Sequence, residues 1–108
     1  MYMKLAVLNA TIATTDGTYK VETISLDEAK VLLSGSELDS AVGHQSTADI
    51  MTTLLDVDIK MNRQQFSQQI GQKALVFKLK GRPEEGKILS SKEIKDIGYE
   101  FKLMTRIN

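Results

Sequence analysis

Lys73-Ala74-Leu75-Val76-Phe77-Lys78-Leu79 decides the fold class. Four consecutive apolar residues, β-branched and aromatic types among them, suit a strand covered on both faces; Lys78 and Lys80 mark its exit from the interior. Downstream, Ser90-Ser91-Lys92-Glu93 opens a helix: a serine and an acid three residues on cap each other's backbone. Ile94 and Ile97 give that helix its inner side and Gly98 its stop. Tyr99, Phe101 and Leu103 then alternate as a closing strand. Upstream, residues 61–66 predict a weak strand, and Asp56-Val57-Asp58 ends the helix before it. Those two aspartates lack the glycine and glutamate of an EF-hand loop and read as solvent-facing. Residues 37–42 predict a short strand. Ser25-Leu26-Asp27-Glu28 is a second capping box, starting a helix through Ala29, Leu32 and Leu33 that closes near Gly35. Residues 18–24 alternate as a half-exposed strand with Tyr19, Val21 and Thr23 on one side. Residues 1–8 are nearly all apolar, another buried strand, and end in the polar turn Asn9-Ala10-Thr11. The sum is one α+β domain over residues 1–108, a mixed sheet of about five or six strands with three short helices.

The chain's one histidine lies in Gly43-His44-Gln45-Ser46-Thr47. Ser46 to Asp49 reads as a third capping box, opening a helix with Ile50, Met51, Leu54 and Leu55 on one stripe. His44 then stands just before a helix N-terminus, where outward amide groups attract anions, phosphate above all. A lone histidine at such a place is commonly a surface or capping residue, so the surroundings have to decide its role.

Composition narrows the field. With no cysteine, disulfides and thiolate metal sites are excluded, and a single histidine argues against zinc. No apolar run reaches the length of a membrane span and no signal-peptide pattern opens the chain, so a soluble, cytoplasmic protein is expected. Fourteen basic residues balance fourteen acidic ones, which gives no bulk attraction to duplex nucleic acid. The charges are divided, however. Residues 1–59 hold three basic and nine acidic side chains, and residues 60–108 hold eleven basic and five acidic. That pattern fits an anion site built mainly by the second half, and equally a solvated surface. With no tryptophan and few aromatics, a stacking platform for single strands is not expected.

Leu8-Asn9-Ala10, Gly43-His44-Gln45-Ser46-Thr47, Asn62-Arg63 and Arg82-Pro83-Glu84-Glu85-Gly86-Lys87 follow one another in that order. Together they resemble the viral type III anti-CRISPR ring nucleases, found in archaeal viruses, bacteriophages and bacterial mobile elements. The resemblance covers nearly the whole chain. It implies an enzyme that cleaves cyclic tetra-adenylate, the second messenger of type III CRISPR complexes. Such an enzyme works without metal or other cofactor, as a homodimer with the ring on its two-fold axis. The family's catalytic histidine falls on His44, its loop arginine and glutamate on Arg82 and Glu85. Substrate-binding positions fall on Asn9, Ala10, Thr11, Gly43, Gln45, Ser46, Thr47 and Arg63. Archaeal viral members often carry a serine three places after the asparagine. This chain has Ile12 there, with Thr11 one place earlier.

The implied reaction fits the residue types. Metal-free cleavage of a 3′–5′ linkage means attack by a ribose 2′-hydroxyl on its own phosphate, giving a 2′,3′-cyclic phosphate and a poor 5′-alkoxide leaving group. A positioned acid is worth about 10²–10⁴ in rate. Histidine is the side chain suited to supply that proton near neutral pH. An arginine stabilises charge on the non-bridging oxygens. Glu85 has three open roles: orienting His44, orienting Arg82, or holding the 2′-hydroxyl. Symmetry agrees as well, since a two-fold dimer sets one acid on each of two opposite linkages. Two other classes stay open: a module that binds a cyclic nucleotide without cutting it, and a small interaction protein in which His44 is incidental. Intact ligand after long incubation would mark the first; a protein partner without affinity for cyclic oligoadenylates would mark the second.

Overall fold

The computed structural model describes residues 4–9, 16–35, 37–64, 66–81 and 90–108. Within them the chain runs β1 (Leu5–Leu8), β2 (Tyr19–Ile24), α1 (Leu26–Ser34), β3 (Leu38–Ser40), α2 (Gln45–Leu55), β4 (Lys73–Leu79), α3 (Ser91–Ile97) and β5 (Tyr99–Arg106). The five strands form one mixed sheet in the order β2-β5-β4-β1-β3. β1 lies parallel to both β3 and β4, whereas β5 is antiparallel to β4 and β2. The predicted α+β domain with three helices is the one observed.

Capping sets the start of two helices as expected. The Ser25 hydroxyl accepts the Glu28 N–H at 3.1 Å, and the Glu28 carboxylate accepts the Ser25 N–H at 3.2 Å. Ser90 and Glu93 repeat the exchange at α3, at 3.3 and 3.2 Å. Each box satisfies two backbone donors that a helix otherwise leaves open. At the far end of α3, Gly98 adopts φ +90° and hands the chain straight to β5. A side chain there would be strained, which is why glycine stops this helix.

β1 and the middle of β4 are buried throughout, because both are interior strands with packing on each face. On one face all three helices close a core: Ala29 and Leu33 from α1, Met51, Leu54 and Leu55 from α2, and Ile94 from α3 meet Leu5, Val7, Leu75, Phe77 and Phe101. On the other face a smaller cluster gathers Ala6, Leu8, Ala74, Val76 and Met104, with Tyr19, Ala41 and Phe66 against it. Phe77, Tyr99 and Phe101 pack with ring centroids 5.2 to 6.1 Å apart, an arrangement worth more than area burial alone. β2 is the edge strand that the alternation of residues 18–24 predicts, with Tyr19 half-buried and Val21 and Thr23, on the same side, exposed.

Two expectations need correction here. The strand predicted over 37–42 is shorter, Leu38–Ser40. Among the described residues of 61–66 no strand forms at all. That segment instead runs along the outer edge of β3 and holds it by side chains. The Ser40 hydroxyl donates to the Lys60 carbonyl at 2.6 Å, and the Asn62 and Gln64 amides donate to the Ser40 carbonyl at 2.9 and 2.6 Å. Side-chain amides satisfy the edge without the regular ladder that a strand requires, and they block it against pairing.

Candidate functional site

The topology fixes where α2 begins. β3 is parallel to β1, so it leaves the sheet at the end where β1 and β4 also finish, and the chain turns from there into α2. Three features therefore converge on one end of the sheet: Asn9 just after β1, Lys78 and Leu79 closing β4, and the N-terminus of α2. In sheets of parallel strands this is the end where ligands collect. A cleft of about 290 Å³ lies there, with Asn9, His44, Ser46 and Thr47 supplying its polar wall and Lys78 lining it between Phe77 and Leu79 on β4. Ile50, Phe77 and Leu79 form an apolar wall, and Gly81 stands at the rim. No carboxylate lines it among the described residues.

The start of α2 differs from the sequence expectation. Ser46 does not cap this helix; His44 does, in extended backbone with φ −132° and ψ 130°, and its side chain makes no capping hydrogen bond. The His44 carbonyl accepts the Ala48 N–H at 3.1 Å, which places Ser46 and Thr47 inside the first turn. The reason is visible in Asp49. Its carboxylate accepts the Gln45 side-chain amide at 2.8 Å, along the helix, and so is not spent on a box with Ser46. No acidic residue stands in the first turn of α2, whereas α1 and α3 each carry one or two. The positive end of the helix dipole is thus uncompensated by any first-turn acid, and it opens on the cleft.

Of the residues singled out from sequence, Asn9, His44, Ser46 and Thr47 come together on the cleft. The His44 side chain is exposed rather than packed into the core. Gly43 and Arg63 meet just behind it: Arg63 Nε donates to the Gly43 carbonyl at 2.8 Å. Gln45 points along the outer side of α2 to Asp49. Ala10, Thr11, Arg82 and Glu85 lie outside the described residues. Lys78 was not singled out. Its place on the cleft follows from the pairing of β4 beside β1, with Leu8 opposite Val76, and sequence pattern does not reveal which strands are neighbours. Among the described residues no three of His, Cys, Asp or Glu stand close enough to share a metal ion, and no helix is long and apolar enough to cross a membrane.

A larger hollow of about 370 Å³ flanks β3, between Leu38 and Ile59. Three of its polar side chains already serve the edge of β3: Ser40 donates to the Lys60 carbonyl, Asn62 to the Ser40 carbonyl, and Asp39 accepts from Gln64 at 3.0 Å. Size favours that hollow, but chemistry favours the cleft at His44, where a helix start and an imidazole converge.

Known proteins share this architecture. The chain is 37% identical over 108 residues to YddF of Bacillus subtilis (strain 168), covering 98% of this chain and all of that protein. It is 43% identical over 79 residues to protein 26 of a Sulfolobus islandicus filamentous virus, covering 72% of this chain and 67% of the viral one. Among solved structures it superposes on B116 of Sulfolobus turreted icosahedral virus with a TM-score of 0.81 and 28% identity, over 96% of this chain and 100% of that one. A family model described as STIV B116-like matches residues 5–101, most of the chain, and on that match the protein belongs to the STIV B116-like family, whose members include small proteins of archaeal viruses and of a bacterium.

Proposed function

We propose that the protein is a ring nuclease that opens cyclic tetra-adenylate without a metal, acting as a homodimer with the ring across the two-fold axis. The observation that carries this reading is the joint placement of Asn9 and His44 on one cleft with the uncapped start of α2. The ligand that suits such a cleft is an anion with an apolar body, and a nucleoside phosphate has both parts. The phosphate sits at the first-turn amides of α2, within reach of the Ser46 and Thr47 hydroxyls. The Ile50, Phe77 and Leu79 wall takes the nucleoside.

From this pose the ribose 2′-oxygen attacks the adjacent phosphorus and the bond to the 5′-oxygen breaks. His44 gives the departing oxygen its proton, a contribution of about 10²–10⁴ in rate. Fixed amide dipoles stabilise the charge that builds on the non-bridging oxygens, because they need no reorganisation as it develops. Arg82 and Glu85 join the site on the strength of the resemblance given above. The reaction leaves linear di-adenylates ending in 2′,3′-cyclic phosphate, and its biological consequence is to silence type III CRISPR signalling.

The test is incubation of the purified protein with cyclic tetra-adenylate in EDTA, with chromatography of the products. Two-nucleotide fragments bearing a cyclic phosphate are expected. Intact ring that co-elutes with the protein would replace the nuclease by a binding module, and the absence of any association would remove cyclic oligoadenylates from consideration.

A further inference from the structure

The stretch that delivers His44 to the cleft has little backbone support of its own. β3 stops at Ser40, α2 starts at Gln45, and residues 41–44 lie between without regular structure. Ala41 is tied to β1, its N–H donating to the Val7 carbonyl at 2.9 Å, the Val42 N–H reaches the Ser40 hydroxyl at 3.3 Å, and two bonds from a segment about twenty residues away hold Val42 and Gly43. The Asn62 N–H donates to the Val42 carbonyl at 2.8 Å, and Arg63 Nε donates to the Gly43 carbonyl at 2.8 Å. The Arg63 stem runs across Gly43, so that a Cβ built there would stand 3.7 Å from Arg63 Cγ. The Gly43 carbonyl and the His44 N–H share one planar peptide group. Whatever fixes that oxygen also fixes the axis about which His44 turns, and the His44 side chain has no capping bond to hold it otherwise.

We infer that Arg63 is a positioning residue, its Nε–H locking the Gly43–His44 peptide so that the imidazole faces the cleft. The inference rests on the reading of His44 as proton donor. It gives Arg63 a task distinct from contacting substrate, which its terminal guanidinium nitrogens remain able to do, since none of them bonds a described residue.

Two substitutions separate the tasks. In Arg63→Gln the side-chain amide nitrogen falls at the same place along the stem as Nε, which keeps a donor and removes the charge. Arg63→Met keeps an apolar stem of similar reach and has no donor. Because His44 is the one histidine in the chain, its imidazole resonances can be followed in ligand-free protein without ambiguity. Arg63→Met is expected to move those resonances and to slow single-turnover cleavage of saturating cyclic tetra-adenylate by about tenfold or more, since small misplacements of a reacting group are costly. Arg63→Gln is expected to return the imidazole resonances toward their wild-type positions while binding the ring more weakly. An unchanged imidazole spectrum in Arg63→Met overturns the inference, and so does equal displacement of those resonances by both substitutions. The spectrum needs no activity, so a protein that cuts no ring would refute the nuclease reading and still decide this one.

Discussion

Three helices begin in this small domain, and they begin in two ways. α1 and α3 spend a serine hydroxyl and a glutamate on their own first turns, and both starts are structural. α2 begins at a histidine that caps nothing with its side chain, and the Asp49 carboxylate is bonded to the Gln45 side chain instead of a backbone N–H of the cap. A cap is worth about 1 kcal/mol, so omitting it at one of three positions is a cost that stability alone does not explain. The omission leaves amide groups and a partial positive charge facing a cleft that also holds Lys78. Sites that give up local stability are where function is expected to lie.

The strongest way to break the contrast is at the uncapped end. His44→Ala should lower single-turnover cleavage by about 10²–10⁴ while changing affinity for cyclic tetra-adenylate little, because a proton donor acts in the transition state. Rate and binding lost together would make His44 a ligand contact instead. His44→Ser sharpens the contrast from the stability side. A serine at this position can cap α2, so the variant should unfold about 0.5–1 kcal/mol harder in urea while cleaving nothing. The mirror experiment is Ser25→Ala or Ser90→Ala. Each should cost about 0.5–2 kcal/mol in the same denaturation and leave cleavage at the wild-type rate.

Much of this architecture was legible in the chain. The two Ser–Glu boxes and the run from Lys73 to Leu79 were readable because local chemistry settles them: a cap needs only residues three apart, and a buried strand shows as unbroken apolar sequence. Ser46 misled because the same local rule matched a serine and an acid, yet Asp49 bonds the Gln45 side chain, one turn back, instead. The segment 61–66 misled because its partner is the edge of β3, and amide side chains there replace a ladder. Asn9 and His44 were picked out as an end-of-strand residue and a helix-start residue. That they share a cleft, and share it with Lys78, depends on β4 lying beside β1 and on where the chain re-enters the helix layer. Those are contacts between residues far apart in sequence, which no local pattern encodes.

The account stands or falls on a proton passing from His44 to the leaving oxygen. Sulfur in place of the bridging 5′-oxygen of cyclic tetra-adenylate gives a leaving thiolate, far less basic than an alkoxide and in little need of an acid. The direct measurement is therefore single-turnover cleavage of the sulfur-bridged ring by wild-type protein and by His44→Ala. The predicted result is near-equal rates on that ring, against a gap of about 10²–10⁴ on the natural one. An equally large gap on both rings would contradict the account, because His44 would then be needed for something other than the proton.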